Sequence, residues 1–145
     1  CWIRDRAVLA QCAMLLGVAD RALRMTAAYT TERKQFDRPV GSFQAVHTRA
    51  ADAYIDVEAM QLTLHRALHL LTQGEPAAES LAVAKYFAAE GGARVTYAAQ
   101  HLHGGIGVDL DYSLHRYYLW ARQIGIRLGS GTLQLAKLGE GLAAR

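Results

Sequence analysis

Residues 46–71, VHTRAADAYIDVEAMQLTLHRALHLL, decide the fold. Val46, Ala50, Ala53, Val57, Met60, Leu64, Ala67 and Leu71 follow one another at steps of four and three. On a helix that spacing draws a single apolar stripe, whereas a half-buried strand would alternate at steps of two. Ser42 precedes the run as the expected N-cap. Gln73-Gly74-Glu75-Pro76 ends it, since glycine closes a helix readily and proline cannot continue one.

The same spacing recurs on both sides. Downstream, Leu81, Ala84, Ala88, Gly91, Val95, Ala98 and Leu102 form a stripe of mostly small side chains, which lets a neighbouring helix come close. That segment ends at Gly104-Gly105-Ile106-Gly107. Upstream, a helix is expected from about Trp2 to Thr31, with Val8, Cys12, Leu15, Ala19 and Ala22 on one side. Leu9, Ala13, Leu16 and Leu23 fill the adjacent strip, so this helix is expected to be broadly buried. A fourth segment carries Leu114, Tyr117, Ala121 and Ile124 and is expected to stop near Gly129-Ser130-Gly131. A short tail helix with Leu135, Leu138 and Leu142 follows. Long amphipathic helices with short connections predict an all-α fold, an antiparallel four-helix bundle with a short C-terminal extra helix, in one domain over residues 1–145.

Composition narrows the function classes. In 145 residues, 52% are hydrophobic and 20% charged, the balance of a soluble globular chain. The net charge of +3 is spread over interspersed basic residues, Lys85 among them, so no dense basic face offers itself to nucleic acid. No apolar run approaches the roughly 20 residues of a membrane span. Cys1 and Cys12, placed on one helix at about 1.5 Å per residue, would lie roughly 16 Å apart, too far for a disulfide. Reduced thiols and a cytoplasmic setting are expected, and the opening at Cys1 without an initiator Met points to a fragment. His101 and His103 diverge on a helix and no Cys or carboxylate completes a ligand set, so no metal site is expected. Tyr112, Tyr117, Tyr118 and Trp120 read as core or intersubunit packing on the fourth helix.

The stretches between helices carry more. Tyr29-Thr30-Thr31-Glu32-Arg33-Lys34-Gln35-Phe36-Asp37-Arg38-Pro39-Val40-Gly41-Ser42-Phe43-Gln44 resembles the first interhelical loop of acyl-CoA dehydrogenases, an aromatic, Arg-x-x-Phe, a turn and Phe-Gln opening the next helix. Leu102-His103-Gly104-Gly105-Ile106-Gly107 is similar to that family's second signature. The resemblance covers nearly the whole chain. It implies that this is the C-terminal helical domain of a three-domain fold whose N-terminal helical and middle β-domains lie elsewhere.

The resemblance also implies an FAD site at a subunit boundary. Arg33 would face the pyrophosphate, for which a planar, permanently charged fork is suited. Gln35 would offer an amide, Phe36 would flank the ring systems, and Gln44 and Thr132 fall at further contact positions. Gly104, Gly105 and Gly107 would bare backbone N–H groups to a neighbouring subunit's cofactor. Two positions depart from the family pattern: Asp37 stands where Gly often follows the Phe, and His101 replaces a common Gln, with Gln100 beside it.

Members of this family abstract the α-proton of an acyl-CoA thioester with a Glu while the β-hydrogen leaves as hydride to the flavin. The usual Glu positions here hold no carboxylate. The turn before the last helix offers Ser130 by motif or Leu128 by count, and the first-helix position falls on Ala7. Asp5 is offset by two residues, about 200° around a helix, and would face away unless the helix start is rearranged. The resemblance therefore implies a subunit without the catalytic Glu, paired with a Glu-bearing relative as in α2β2 members linked to sterol side-chain degradation. An acyl-CoA substrate, homo- or hetero-oligomerisation through the bundle and electron-transfer flavoprotein as acceptor are implied with it. The alternatives are a catalytic subunit using Asp5 or a base outside this stretch, and a helical scaffold that binds no flavin.

Overall fold

The computed structural model describes residues 2–144, so the expectation about Cys1 lies outside the described residues. The described residues form five α-helices: α1 (Trp2–Glu32), α2 (Gln44–Gln73), α3 (Ala78–His103), α4 (Leu114–Ile126) and α5 (Gly131–Ala143). Between α1 and α2 lie a two-stranded antiparallel ribbon, β1 (Lys34–Gln35) with β2 (Arg38–Pro39), and a 3-10 turn, Val40–Ser42. A second 3-10 turn, Gly104–Val108, follows α3.

Contacts fix the helix directions. Asp56 and Met60 of α2 meet Arg94 and Gly91 of α3, so these two helices run antiparallel. Lys85 reaches Ile124 and His103 reaches Tyr112, so α4 also opposes α3. Leu15 meets Gly92 and Tyr29 meets His103, so α1 and α3 run parallel across the bundle. α3 packs against α1, α2, α4 and α5.

The apolar stripe of residues 46–71 is the buried face of α2, with Ala53, Val57, Met60, Leu64 and Ala67 in the core. Each full burial of a side chain such as Val57 or Leu64 contributes roughly 1.5–3 kcal/mol. The small-residue stripe of α3 is buried from Leu81 to Ala98, and at Gly91 the helix spacing depends on the missing Cβ, which would meet Met60 Sδ at 3.1 Å. Gly74 closes α2 in the left-handed conformation (φ 74°), its N–H donating to the Leu70 carbonyl.

Three expectations change. Ser42 does not cap α2: Phe43 is the N-cap, and Ser42 Oγ donates to the Pro39 carbonyl at 2.7 Å within the 3-10 turn. The Pro39–Ser42 turn takes up the residues on which the helix would have begun. α1 is buried along one face only, because Ala13 is exposed and Leu9, Leu16 and Leu23 are half-buried. α4 stops at Ile126, three residues early, because Arg127 is extended and Leu128 and Gly129 take φ 56° and 108°. It is therefore no longer than α5, but the expected all-α architecture holds, α1–α4 forming the antiparallel bundle and α5 the short C-terminal extra helix. Lys85, one of the interspersed basic residues, is fully buried.

Candidate cofactor-binding site

The two signature stretches come to one end of the bundle. The ring of Tyr29, in the last turns of α1, stacks on the imidazole of His103 at the end of α3, with centroids 4.4 Å apart and planes 18° from parallel. Arg33 follows Tyr29 by one helical turn, its N–H donating to the Tyr29 carbonyl at 2.8 Å. Gly104 follows His103 directly, so the stack ties the first signature to the second.

His103 is 4% exposed and held from both ring nitrogens. Nδ1 lies 2.8 Å from the Ala99 carbonyl, which can only accept, so Nδ1 carries the proton. Nε2 then accepts from the Tyr112 hydroxyl at 3.1 Å. Burial lowers the His103 pKa below the ordinary histidine range, with the Ala99 bond a smaller opposing effect. The imidazole is neutral at pH 7. Burial likewise raises the Tyr112 phenol, which keeps its proton for the bond. Tyr112 lies in the turn before α4 rather than on it.

The first signature forms a projecting ribbon. Val40 N–H donates to the Arg33 carbonyl at 2.8 Å, and Gln35 pairs with Arg38. The two residues between them, Phe36 and Asp37, take φ 52° and 61°, the left-handed pair of tight hairpins. Asp tolerates this region well and Phe does so at a cost of about 1–2 kcal/mol. Asp37 thus adopts the left-handed conformation that glycine takes most readily, so the turn forms without a glycine. Phe36 stands 87% exposed, touching Phe43 edge-on at 6.2 Å, while the Arg38 guanidinium covers the Phe43 ring at 4.0 Å. Arg33, Gln35 and Gln44 are exposed as well.

The second signature is open on its outer side. Gly104 takes φ 64° and ψ −141°, a conformation essentially confined to glycine, and a Cβ on Gly104 or Gly105 would meet nothing within 4 Å. Gly107 is buried, and a Cβ there would collide with Gln100 Oε1, a buried atom with no hydrogen-bond partner. His101 is exposed on the outer face of α3. An exposed guanidinium, a side-chain amide, an unpacked aromatic ring and bare glycine backbone are the donor set that an anionic dinucleotide requires, so these residues fit the group.

The positions where relatives carry a base are elsewhere. Ser130 is the N-cap of α5 and exposed, as are Leu128 and Thr132. Ala7 is half-buried on α1, which is regular from Trp2 onward. Asp5 lines a groove of about 270 Å³ with Arg4, Glu79, Gln134 and Lys137, between the starts of α1 and α3 and the body of α5. A second, more apolar groove of about 530 Å³ lies between Met14, Gly17 and Val18 of α1 and Tyr117, Trp120 and Ile124 of α4. Among the described residues no group of His, Cys, Asp or Glu could hold a metal ion, and no helix is long and apolar enough to cross a membrane.

The sequence named His103 and Tyr112 without their pairing and left Lys85 among the interspersed cations. For Lys85 and His103 the signal was their place on a helix register with small apolar neighbours: Leu81, Lys85, Ala88, Gly92, Thr96, Ala99 and His103 run at steps of three and four.

A bundle whose two interhelical signatures meet at one end defines an all-α helical domain with a candidate cofactor site there. The profile of the family described as "Acyl-CoA dehydrogenase, C-terminal domain" matches residues 5–143, and the chain belongs to that family. Acyl-CoA dehydrogenase FadE27 of Mycobacterium tuberculosis is 45% identical over 98% of the chain, which corresponds to 40% of FadE27. The ChsE4–ChsE5 complex from the same organism superposes with a TM-score of 0.96 at 46% identity, over 99% of the chain and 39% of its counterpart. A steroid ACAD, Tcur3481–Tcur3483 (G363A variant), gives a TM-score of 0.95 at 47% identity over 99% and 40%. The chain thus spans about two-fifths of the length of these relatives.

Proposed function

We propose that the full-length protein is a subunit of an FAD-dependent acyl-CoA dehydrogenase, and that it is the subunit type without the catalytic glutamate. The observation that carries the reading is the Tyr29–His103 stack, which brings the Arg33 ribbon and the Gly104–Gly107 turn to one end of the bundle. Arg33 binds the pyrophosphate, Gln35 and Gln44 supply amide contacts, and Phe36 packs against a ring face. Gly104 and Gly105 present backbone, His101 donates from the last turn of α3, and Thr132 contributes its hydroxyl from the start of α5. The flavin, when bound, supplies the acceptor for the hydride lost from the substrate β-carbon.

The other half of the reaction needs a base near the substrate α-carbon, because a thioester α C–H is a weak acid even with its carbonyl polarised. Ala7, Leu128 and Ser130 cannot take that proton. Asp5, on the regular helix α1, opens toward α5 rather than onto the face that Ala7 occupies. The carboxylate comes from a related, Glu-bearing subunit, and this chain completes the interface and the dinucleotide pocket. Similarity to the ChsE4–ChsE5 complex and to a steroid ACAD supports a heteromeric assembly acting on acyl-CoA thioesters with a steroid portion. Electron-transfer flavoprotein is the acceptor, the compartment is cytoplasmic, and the N-terminal helical and middle β-domains precede this one.

Co-expression of the full-length chain with a Glu-bearing relative tests the reading. A yellow complex of fixed stoichiometry is expected. Arg33→Met is expected to weaken FAD retention at least about tenfold, the scale of a lost charged hydrogen bond. Asp5→Asn is expected to leave turnover unchanged. A complex that never acquires flavin removes the assignment, and one that loses turnover but keeps flavin on Asp5→Asn removes the non-catalytic role.

A further inference from the structure

The α4–α5 turn is gripped from two sides. Lys85 has no exposed surface, and its Nζ donates to the Ile124 and Gly125 carbonyls at 3.0 Å each. These carbonyls end α4, where C=O groups lack intrahelical partners and the helix dipole is negative. At the same place a Cβ on Gly125 would stand 3.8 Å from the Ala89 backbone, so α4 and α3 meet closely. From the far side Gln134, 4% exposed, donates through Nε2 to the Leu128 and Gly129 carbonyls at 3.3 Å each. The Glu90 carboxylate occupies the space beside Gly131 that a side chain there would need.

Between these grips the backbone takes two positive φ values in succession, at Leu128 and Gly129. A leucine in that region is strained and persists only where its surroundings over-determine it. A buried ammonium is also a costly way to end a helix, since Gly74 closes α2 with no side chain at all. The two costs adjoin: the ammonium holds the end of α4 at Ile124 and Gly125, and the strained Leu128 opens the Leu128–Thr132 turn, which holds Ser130 and Thr132.

We propose that Lys85 is a positioning residue: together with Gln134 it fixes the backbone of the Leu128–Thr132 turn and so sets where Ser130 and Thr132 face bound dinucleotide and thioester. The inference rests on the acyl-CoA dehydrogenase reading above, which makes this turn part of the pocket. Lys85 itself touches neither ligand.

The test uses the full-length chain in complex with its partner subunit, as wild type, Lys85→Met and Gln134→Met. Lys85→Met keeps the apolar stem and removes the donors; Gln134→Met loosens the other side without touching the buried cation. In each variant, amide hydrogen exchange across residues 126–134 is expected to accelerate about tenfold or more, while amides in 12–22 and 57–67 keep their wild-type rates. The absorbance envelope of the bound flavin is expected to shift, with FAD affinity falling several-fold. Should Lys85→Met not assemble, Gln134→Met alone decides. Unchanged exchange in the turn, exchange raised evenly over the domain, or a loosened turn with an unaltered flavin spectrum and affinity would each overturn the proposal. If no form of the complex holds flavin, the enzyme reading fails and the pocket role with it; the exchange rates then still report whether Lys85 and Gln134 fix the turn.

Discussion

Tyr29 lies flat on His103, 4.4 Å between ring centres, and this one contact joins the last turns of α1 to the last residue of α3. Each ring sits next to a signature stretch, so the stack fixes the spacing of two loops that are some seventy residues apart in sequence. Tyr112 holds the imidazole from its other edge.

Removing both rings measures the tie. In a double-mutant cycle of Tyr29→Leu and His103→Leu, a coupling of about 0.5–1.5 kcal/mol is expected for the stacked pair, read from urea unfolding. A coupling near zero would mean the rings are merely adjacent.

Acid should loosen this end first. Because burial lowers the His103 pKa in the folded state, the unfolded chain binds a proton at higher pH than the folded one. The stabilisation is complete above the ordinary histidine pKa of about 6.5 and is lost as pH falls from there through the lower folded value. Exchange rates at residues 99–112 are expected to rise below about pH 6, and His103→Gln to abolish that pH dependence.

Cys12 should be inert in the folded chain. It is 1% exposed, and burial raises its thiol to about 11 from the ordinary 9.0, with Lys85 opposing the shift. Alkylation at pH 8, mapped by mass, is expected to spare Cys12 until the domain unfolds. The same shift makes the folded state lose stability as pH rises from about 9 toward 11.

Gly91 sets the α2–α3 distance. An alanine methyl there would press on the Met60 side chain at 3.1–3.2 Å, a contact the flexible thioether can relieve, and alanine recovers about 1 kcal/mol of helix propensity. Gly91→Ala is expected to be near neutral in thermal unfolding. Gly91→Val, with two further carbons and no room, is expected to cost about 1–3 kcal/mol.

The repeating stripes of α2 and α3 were legible because burial there follows a local rule, one side chain every three or four residues. Gly74 was legible for the same reason, since its conformation depends on its own missing side chain. The end of α4 was not: Leu114, Tyr117, Ala121 and Ile124 make too short a stripe to mark a boundary, and the carbonyls at the stop are met by Lys85, thirty-nine residues back from Ile124. Ser42 satisfied the local cap rule and lost to the Pro39 turn. For the candidate site, the motifs pointed to Arg33, Phe36 and Gly104, but the meeting of the two loops rests on rings whose partners are remote in sequence. Whether Phe36 and Asp37 would accept positive φ was likewise invisible to composition.

The central position of α3 has a consequence for how the chain acquires its shape. α2 and α3, joined by four residues, close the shortest loop among the helix pairs that pack extensively and are expected to pair earliest. α1, which lies along α3 with α2 between them in the chain, bears a larger closure entropy and docks onto a surface that already exists. A slow-growing nascent chain would therefore hold the α3-facing side of α1 uncovered until residue 103 has emerged, the interval in which a chaperone has most to protect.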